Sequence, residues 1–214
     1  MRKMLVSVYL VVLFACFFAV AHAEINIVDM PVKYNEERES LTKAYSLKHY
    51  GREMTTIEPQ AIVVHWTAAG TWKSTYNYFY SPSRSDGTLN VGSQFLVDRD
   101  GTIYRLMPET TMARHAIGYN WCAIGIENVG GVNGYEDLTQ EQLTANVELL
   151  KYLHGKYSGI KYIFGHYQQV EARESGLYIE LVAGYHSIKD DPGSSFMRGL
   201  QERLANEDFI FYRE

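Results

Sequence analysis

MARHAIGYNWCAIGIENV, residues 112–129, opens as a polar loop carrying His115 and Asn120 and closes as a short apolar run ending in Glu127. A carboxylate inside an Ile/Val strand is costly to bury unless it has a partner or a task. Upstream, QAIVVHWT (60–67) is a near-continuous β-branched run that delivers His65. Downstream, IKYIFG (160–165) leads into His166. Runs of this kind fit strands covered on both faces. Three buried strands that each end in a titratable group predict a shared site at one sheet edge.

The flanking segments complete the architecture. Alternating runs at 92–98 and 102–107 enclose Asp98-Arg99-Asp100-Gly101, a strong hairpin signal. Thr139 to Lys156 reads as the best helix of the chain, with a Thr139/Gln142 capping box and Leu143, Val147 and Leu150 on one face. Thr71 to Tyr80 places Trp72, Tyr76, Phe79 and Tyr80 at helical spacing, read here as an aromatic core stripe rather than a ligand platform. A short helix is expected around Asn35 to Lys48, within a polar N-terminal extension. Strands and helices roughly alternate, so the class is α/β with a central mixed β-sheet flanked by helices. The expected division is a signal peptide over 1–23, an N-terminal extension over 24–58 and one main domain over 59–214.

The 214 residues suffice for one domain with a real core. The first 23 combine Arg2 and Lys3, a long apolar run and the small-x-small end Ala21-His22-Ala23, the pattern of a secretory signal peptide cut after Ala23. An uncleaved anchor and lipidation at Cys16 are the competing readings, and only lipidation would add a membrane contact to a cleaved chain. Without that segment 18 basic residues face 25 acidic ones, a net charge of −7. No basic surplus is available to neutralise phosphates, which argues against a nucleic-acid partner. Cys122 is then the only cysteine left, so no intramolecular disulfide is expected. It reads as a small buried apolar residue rather than a nucleophile.

A catalytic zinc takes three protein ligands and keeps one position open to water. His65, His166 and an acid within Lys189-Asp190-Asp191-Pro192-Gly193 are candidates, although separations this long carry little specificity by themselves. The alternative for each histidine is a hydrogen-bonded structural role.

The order of pieces is more specific. HWTAAGTW, GSQFLVDRDGTIYRLMPE, ARHAIGYNWCAIGIENVGG, a capped helix, IFGH and KDDPG together resemble the type 2 N-acetylmuramoyl-L-alanine amidases, over roughly residues 60–204. This family shares its fold with peptidoglycan recognition proteins. The resemblance implies a zinc site of His65, His166 and Asp191, with Glu127 as catalytic base and Lys189 as the group that stabilises the oxyanion. It also implies that His115 and Asn120 line the substrate groove, and that the substrate is peptidoglycan or a muropeptide. The expected product is an exported, monomeric, zinc-dependent amidase. A non-catalytic peptidoglycan-binding module and an exported effector against a rival's wall are the alternatives.

The sequence departs from the family pattern in three places. Ser93 stands near where some relatives carry a tyrosine, and Gln94 where a histidine is frequent. The segment from Tyr167 to Ile188 is longer than usual and is expected to line or cover the groove. It brings His186 close to Asp191 as a competitor of His166, and Asp190 competes with Asp191 as the acid. For Glu127 the alternative is an ion pair with Arg105 or Arg114; for Lys189, a solvated surface lysine; for His115, a plain loop residue.

Overall fold

The computed structural model describes residues 25–212. The segment read as a signal peptide, the cut after Ala23 and Cys16 lie outside those residues. At the centre is β2 (Ala61–Trp66), with all six residues buried. It pairs in parallel with β5 (Ala123–Asn128) on one side and β6 (Tyr162–Gly165) on the other. Beyond β5 lies β3 (Phe95–Val97), and beyond that the antiparallel β4 (Ile103–Arg105). Gly101, at φ 85°, closes the expected Asp-Gly turn between these two strands. Two short strands, β1 (Ile27–Asp29) and β7 (Ile210–Phe211), form the margins, in the order β1-β4-β3-β5-β2-β6-β7. The sheet is therefore mixed.

Side chains alternate across a strand, so the sheet has two faces. On one face Ile62, Val64, Ile124, Ile126 and Ile163 share a core cluster with Leu149, Leu150 and Leu153 of helix α3 (Gln140–Lys156). Met197 and Leu200 of helix α4 (Ser194–Arg203) join the same cluster. Burying each of these aliphatic side chains contributes roughly 1.5–3 kcal/mol. The capping box at Thr139 and Gln142 is formed as expected. The Gln142 amide reaches further, donating to the carbonyls of Val97 at 3.1 Å and Val129 at 3.0 Å.

On the opposite face Ala61, Val63, Ala123 and Phe164 pack against Ala116, Tyr119, Cys122, Ala172 and Leu177. Among the described residues, this cluster draws on no helix longer than a 3-10 turn. Instead the 113–122 loop lies on small residues of the sheet, and the long segment after β6 lies on that loop. Cys122 is fully buried there, and burial pushes its thiol up to about 12, so the apolar reading holds.

Helix α1 (Glu36–Tyr50) occupies the stretch where a short helix was expected. Asn35 caps it by accepting from the Arg38 amide at 3.2 Å, and Glu36, Glu37 and Glu39 sit in its first turn, favourable to the helix dipole. Helix α2 (Trp72–Tyr80) carries most of the expected aromatic core stripe: Phe79 belongs to a core cluster and Trp72 and Tyr76 pack against it, while Tyr80 does not. Of its aromatic residues only Phe79 is buried; Tyr78 is 57% and Tyr80 46% exposed. Trp72 also stacks on Tyr104 with ring centroids 4.8 Å apart.

Candidate active site

The three strand-end residues converge, though at the carboxyl ends of central strands rather than at a marginal one. His65 of β2 and Glu127 of β5 are register partners, so they project from the same face. His166 follows β6 directly, on the other side of β2. Asp191 is carried in by the chain returning from the long segment, whose Tyr167 amide donates to the Asp191 carbonyl at 2.9 Å.

Nδ1 of His65 lies 3.0 Å from Nδ1 of His166 and 3.0 Å from Oδ2 of Asp191; the third side of the triangle measures 3.2 Å. All three residues are buried. A tetrahedral zinc with ligand bonds near 2.0–2.1 Å needs donor atoms roughly 3.3 Å apart, so this triangle fits within a few tenths of an ångström. The donor set, two imidazoles and one carboxylate, is also a zinc set. His186 is not part of it: its Nδ1 contacts the Gly184 carbonyl on the surface. Asp190 is exposed and lies near Gly134.

Burial, with the charge of His166, lowers the pKa of His65 to about 4, so the ring is a neutral donor at neutral pH. Burial alone would raise Asp191, but hydrogen bonds and charge from both histidines hold its carboxyl below the usual range. Glu127 behaves oppositely: burial, then the Asp191 charge, pushes its carboxyl well above the usual range, with Lys189 opposing. The ion-pair reading of Glu127 is excluded, because Arg105 binds Asp29 and Glu109 while Arg114 binds Leu89 and Tyr185. Its Oε2 is buried with no hydrogen-bond partner among the described residues. Such a group is rare unless a ligand or substrate completes it. Lys189 is exposed, and its positive charge acts on both Glu127 and His65.

His115 is half-buried and Asn120 is buried. His115 contacts Nε2 of His65 through its Nδ1 at 3.1 Å and the Ala123 carbonyl through its Nε2 at 3.2 Å. Burial first, then the charges of His65 and His166, holds His115 well below the usual imidazole range, so it too is neutral. Its ring lies directly over Gly125. Asn120 is 1% exposed; its Oδ1 accepts from the His115 amide at 2.8 Å and the Ala116 amide at 2.7 Å. Its Nδ2 donates to the Tyr45 hydroxyl of α1 at 3.1 Å. The loop that carries His115 is thus clamped by Asn120 and moored to the N-terminal helix. Sequence reading overlooked Gly125 and Tyr45. A glycine inside an Ile-Gly-Ile strand signals close approach of another group, and that signal was available.

The backbone is held as well. Asn128 donates to the His65 carbonyl at 3.0 Å and accepts from Asn146 of α3 at 2.6 Å. Gln94, where a histidine was expected by resemblance, accepts from the Gly125 amide at 2.7 Å and donates to the Thr111 carbonyl at 2.7 Å. Ser93 is buried and donates to the Phe95 carbonyl, so no hydroxyl from this position reaches the site.

A family model described as N-acetylmuramoyl-L-alanine amidase matches residues 55–194, well over half of the chain. The chain belongs to the type 2 N-acetylmuramoyl-L-alanine amidase family. The endolysin of Escherichia phage T7 is 35% identical over 80 residues, covering 36% of this chain and 53% of the phage protein. The endolysin of Klebsiella phage KP32 is 32% identical over the same length and shares. The chain therefore spans about half the length of the curated relatives it matches. Among solved structures, the amidase LysC from Clostridium intestinale URNW aligns with a TM-score of 0.54 and 24% identity, over 86% of this chain and 99% of that one. Peptidoglycan recognition protein-LE, in complex with tracheal cytotoxin, aligns at 0.54 and 18%, over 86% and 95%. An AmpD derivative aligns at 0.53 and 20%, over 83% and 93%. At these identities the structures establish the fold of this amidase-family chain, the mixed sheet with flanking helices.

Proposed function

We propose that the protein is a zinc-dependent hydrolase of the amide between N-acetylmuramic acid and L-alanine in peptidoglycan. The observation that carries this reading is the buried Glu127 oxygen without a partner, set beside a triangle of three lone-pair donors. A module that only binds cell-wall fragments has no need for either, and the charge penalty at Glu127 would burden it without return.

His65, His166 and Asp191 would hold the zinc, which when bound polarises the scissile carbonyl and acidifies a water. Glu127 then works as the proton carrier. It takes a proton from the attacking water at its carboxylate and delivers it to the departing amine of L-alanine. A carboxyl whose pKa is raised by burial is suited to both halves of that transfer, and a nearby cation shifts it back towards the ionised form. Lys189 adds positive charge on the side where the carbonyl oxygen becomes anionic. Bond cleavage leaves the lactyl carboxylate on the sugar and a free amine on the stem peptide.

Export is part of this reading and rests on the pattern of residues 1–23. The decisive experiment is mass spectrometry of muropeptide digests made with the wild type and with Glu127→Ala. Free stem peptide beginning at L-alanine is expected from the wild type and is lost in the variant. Full turnover by Glu127→Ala would refute the assignment of the base.

A further inference from the structure

The protons around His65 can be counted. The Ala123 carbonyl oxygen only accepts, so His115 donates to it from Nε2. A neutral imidazole that donates from one nitrogen accepts at the other, so His115 Nδ1 takes a hydrogen bond from the Nε2–H of His65. That leaves His65 Nδ1 without a proton, and Nδ1 is the atom that faces His166 and Asp191. The ring planes of His65 and His115 are 89° apart with centroids at 5.2 Å, so the two rings meet edge to face, not stacked.

We propose that His115 is a positioning residue that fixes His65 in its Nε2–H tautomer, so that Nδ1 is a bare lone pair before any metal arrives. This deepens the amidase reading and rests on it only in taking the three donors as a metal site. The relay opposes a real competitor. Asp191 Oδ2, 3.0 Å from His65 Nδ1, is an acceptor and would otherwise draw the ring proton to that nitrogen. A proton held there must be expelled before a cation can bind, and the expulsion weakens affinity. With His65 set by the relay, two acceptors face each other at 3.0 Å, a contact that a cation resolves. His166 differs: its Nε2 is buried without a partner among the described residues, so no equivalent contact fixes that ring.

Three features show that the placement of His115 is built into the fold. Asn120 clamps the His115 amide, and Ala123 supplies the terminal acceptor. Gly125 leaves the space the ring occupies, since a Cβ there would lie 2.8 Å from His115 Cγ. The ring is thus held from three sides, and its two nitrogens are used up on a carbonyl and on His65. Ligand histidines held in this manner typically lose about 10–100-fold in metal affinity when the outer partner is removed.

The test uses metal-free full-length protein labelled with 15N at histidine, and long-range 1H–15N spectra that report each ring's tautomer. The same samples then give a zinc dissociation constant by competition with a chromophoric chelator. His65 is expected as Nε2–H in the wild type. His115→Phe keeps a ring but no acceptor, so His65 moves towards Nδ1–H and zinc binding weakens by about 10–100-fold. His115→Asn places an oxygen near the former Nδ1 and recovers most of both. An unchanged tautomer and unchanged zinc affinity in a folded His115→Phe overturn the proposal. So does Nδ1–H in the wild type, a result that needs no variant to fold. A wild type that shows Nε2–H yet takes up no zinc supports the tautomer assignment and overturns the zinc reading instead.

Discussion

Gly125→Ala adds a single methyl group to a strand whose backbone can accept it, because Gly125 lies outside the left-handed φ region. The methyl carbon would stand 2.8 Å from Cγ of His115 and 2.9 Å from its Cδ2 and Nδ1. Comfortable carbon contacts begin near 3.5 Å, so the ring must withdraw by roughly 0.7 Å. His115 is held at 3.1 Å to His65 and 3.2 Å to Ala123, and a hydrogen bond is lost by about 3.6 Å. A retreat of that size, off the ring plane, pulls both hydrogen bonds out of line and weakens them. Overpacking of this kind costs about 1–3 kcal/mol, read as a lower midpoint in a denaturant melt of metal-free protein. Zinc affinity, measured by chelator competition, should fall by about 10–100-fold through the loss of the ring that orients His65. Gln94 still pairs with the strand amide, so the sheet is expected to survive. Wild-type stability together with wild-type zinc affinity would mean that the ring does not sit over Gly125, and the reasoning would fail.

Other outcomes follow from the same geometry. Glu127 has a folded pKa raised above its unfolded value, so ionisation costs stability as pH rises from the unfolded carboxylate range. Metal-free Glu127→Gln should therefore match the wild type near pH 4 and exceed it increasingly towards pH 8 in thermal melts; a gain confined to acid pH contradicts the assignment. Asn120→Ala removes three hydrogen bonds, two of them buried, and leaves two loop amides unpaired, at a cost of about 2–4 kcal/mol by denaturant titration. A loss below about 0.5 kcal/mol would show that the clamp is redundant. Zinc at a hundredfold excess over its dissociation constant should stabilise the wild type by about 2.7 kcal/mol, and a chelator should reverse this; a melt indifferent to zinc argues against the site. Cys122 should resist alkylation in the native protein and react fully once unfolded, since burial raises its thiol to about 12.

The legible parts of this chain were those in which local pattern and tertiary role agree. The run at Ala61–Trp66, the capped helix at Gln140–Lys156 and the Asp98–Gly101 turn each state their structure within a few residues. Strand ends pointed to His65 and His166, but only the resemblance singled out the full His65, His166 and Asp191 set, because residues 101 and 25 positions apart leave no local trace. The margins were hidden for a different reason. Strands β1 and β7, three and two residues long, exist because a neighbour offers an open ladder, and that is a property of the neighbour. The role of His115 was hidden too, since its partners are a carbonyl and a ring supplied by two different strands. On α2 the spacing found Trp72, Tyr76 and Phe79 on the core but not the exposure of Tyr80, which sits at the last turn.

The hydroxyl of Tyr45 has a practical corollary. It belongs to α1, ahead of residue 55, where the family match begins, yet it holds the amide that clamps the loop carrying His115. A gene trimmed to the recognised family region would discard that hydroxyl and also strip β4 of its outer neighbour. Such a fragment would carry His65, His166 and Asp191 and still hold them poorly, with its loop adrift and a raw strand inviting self-association.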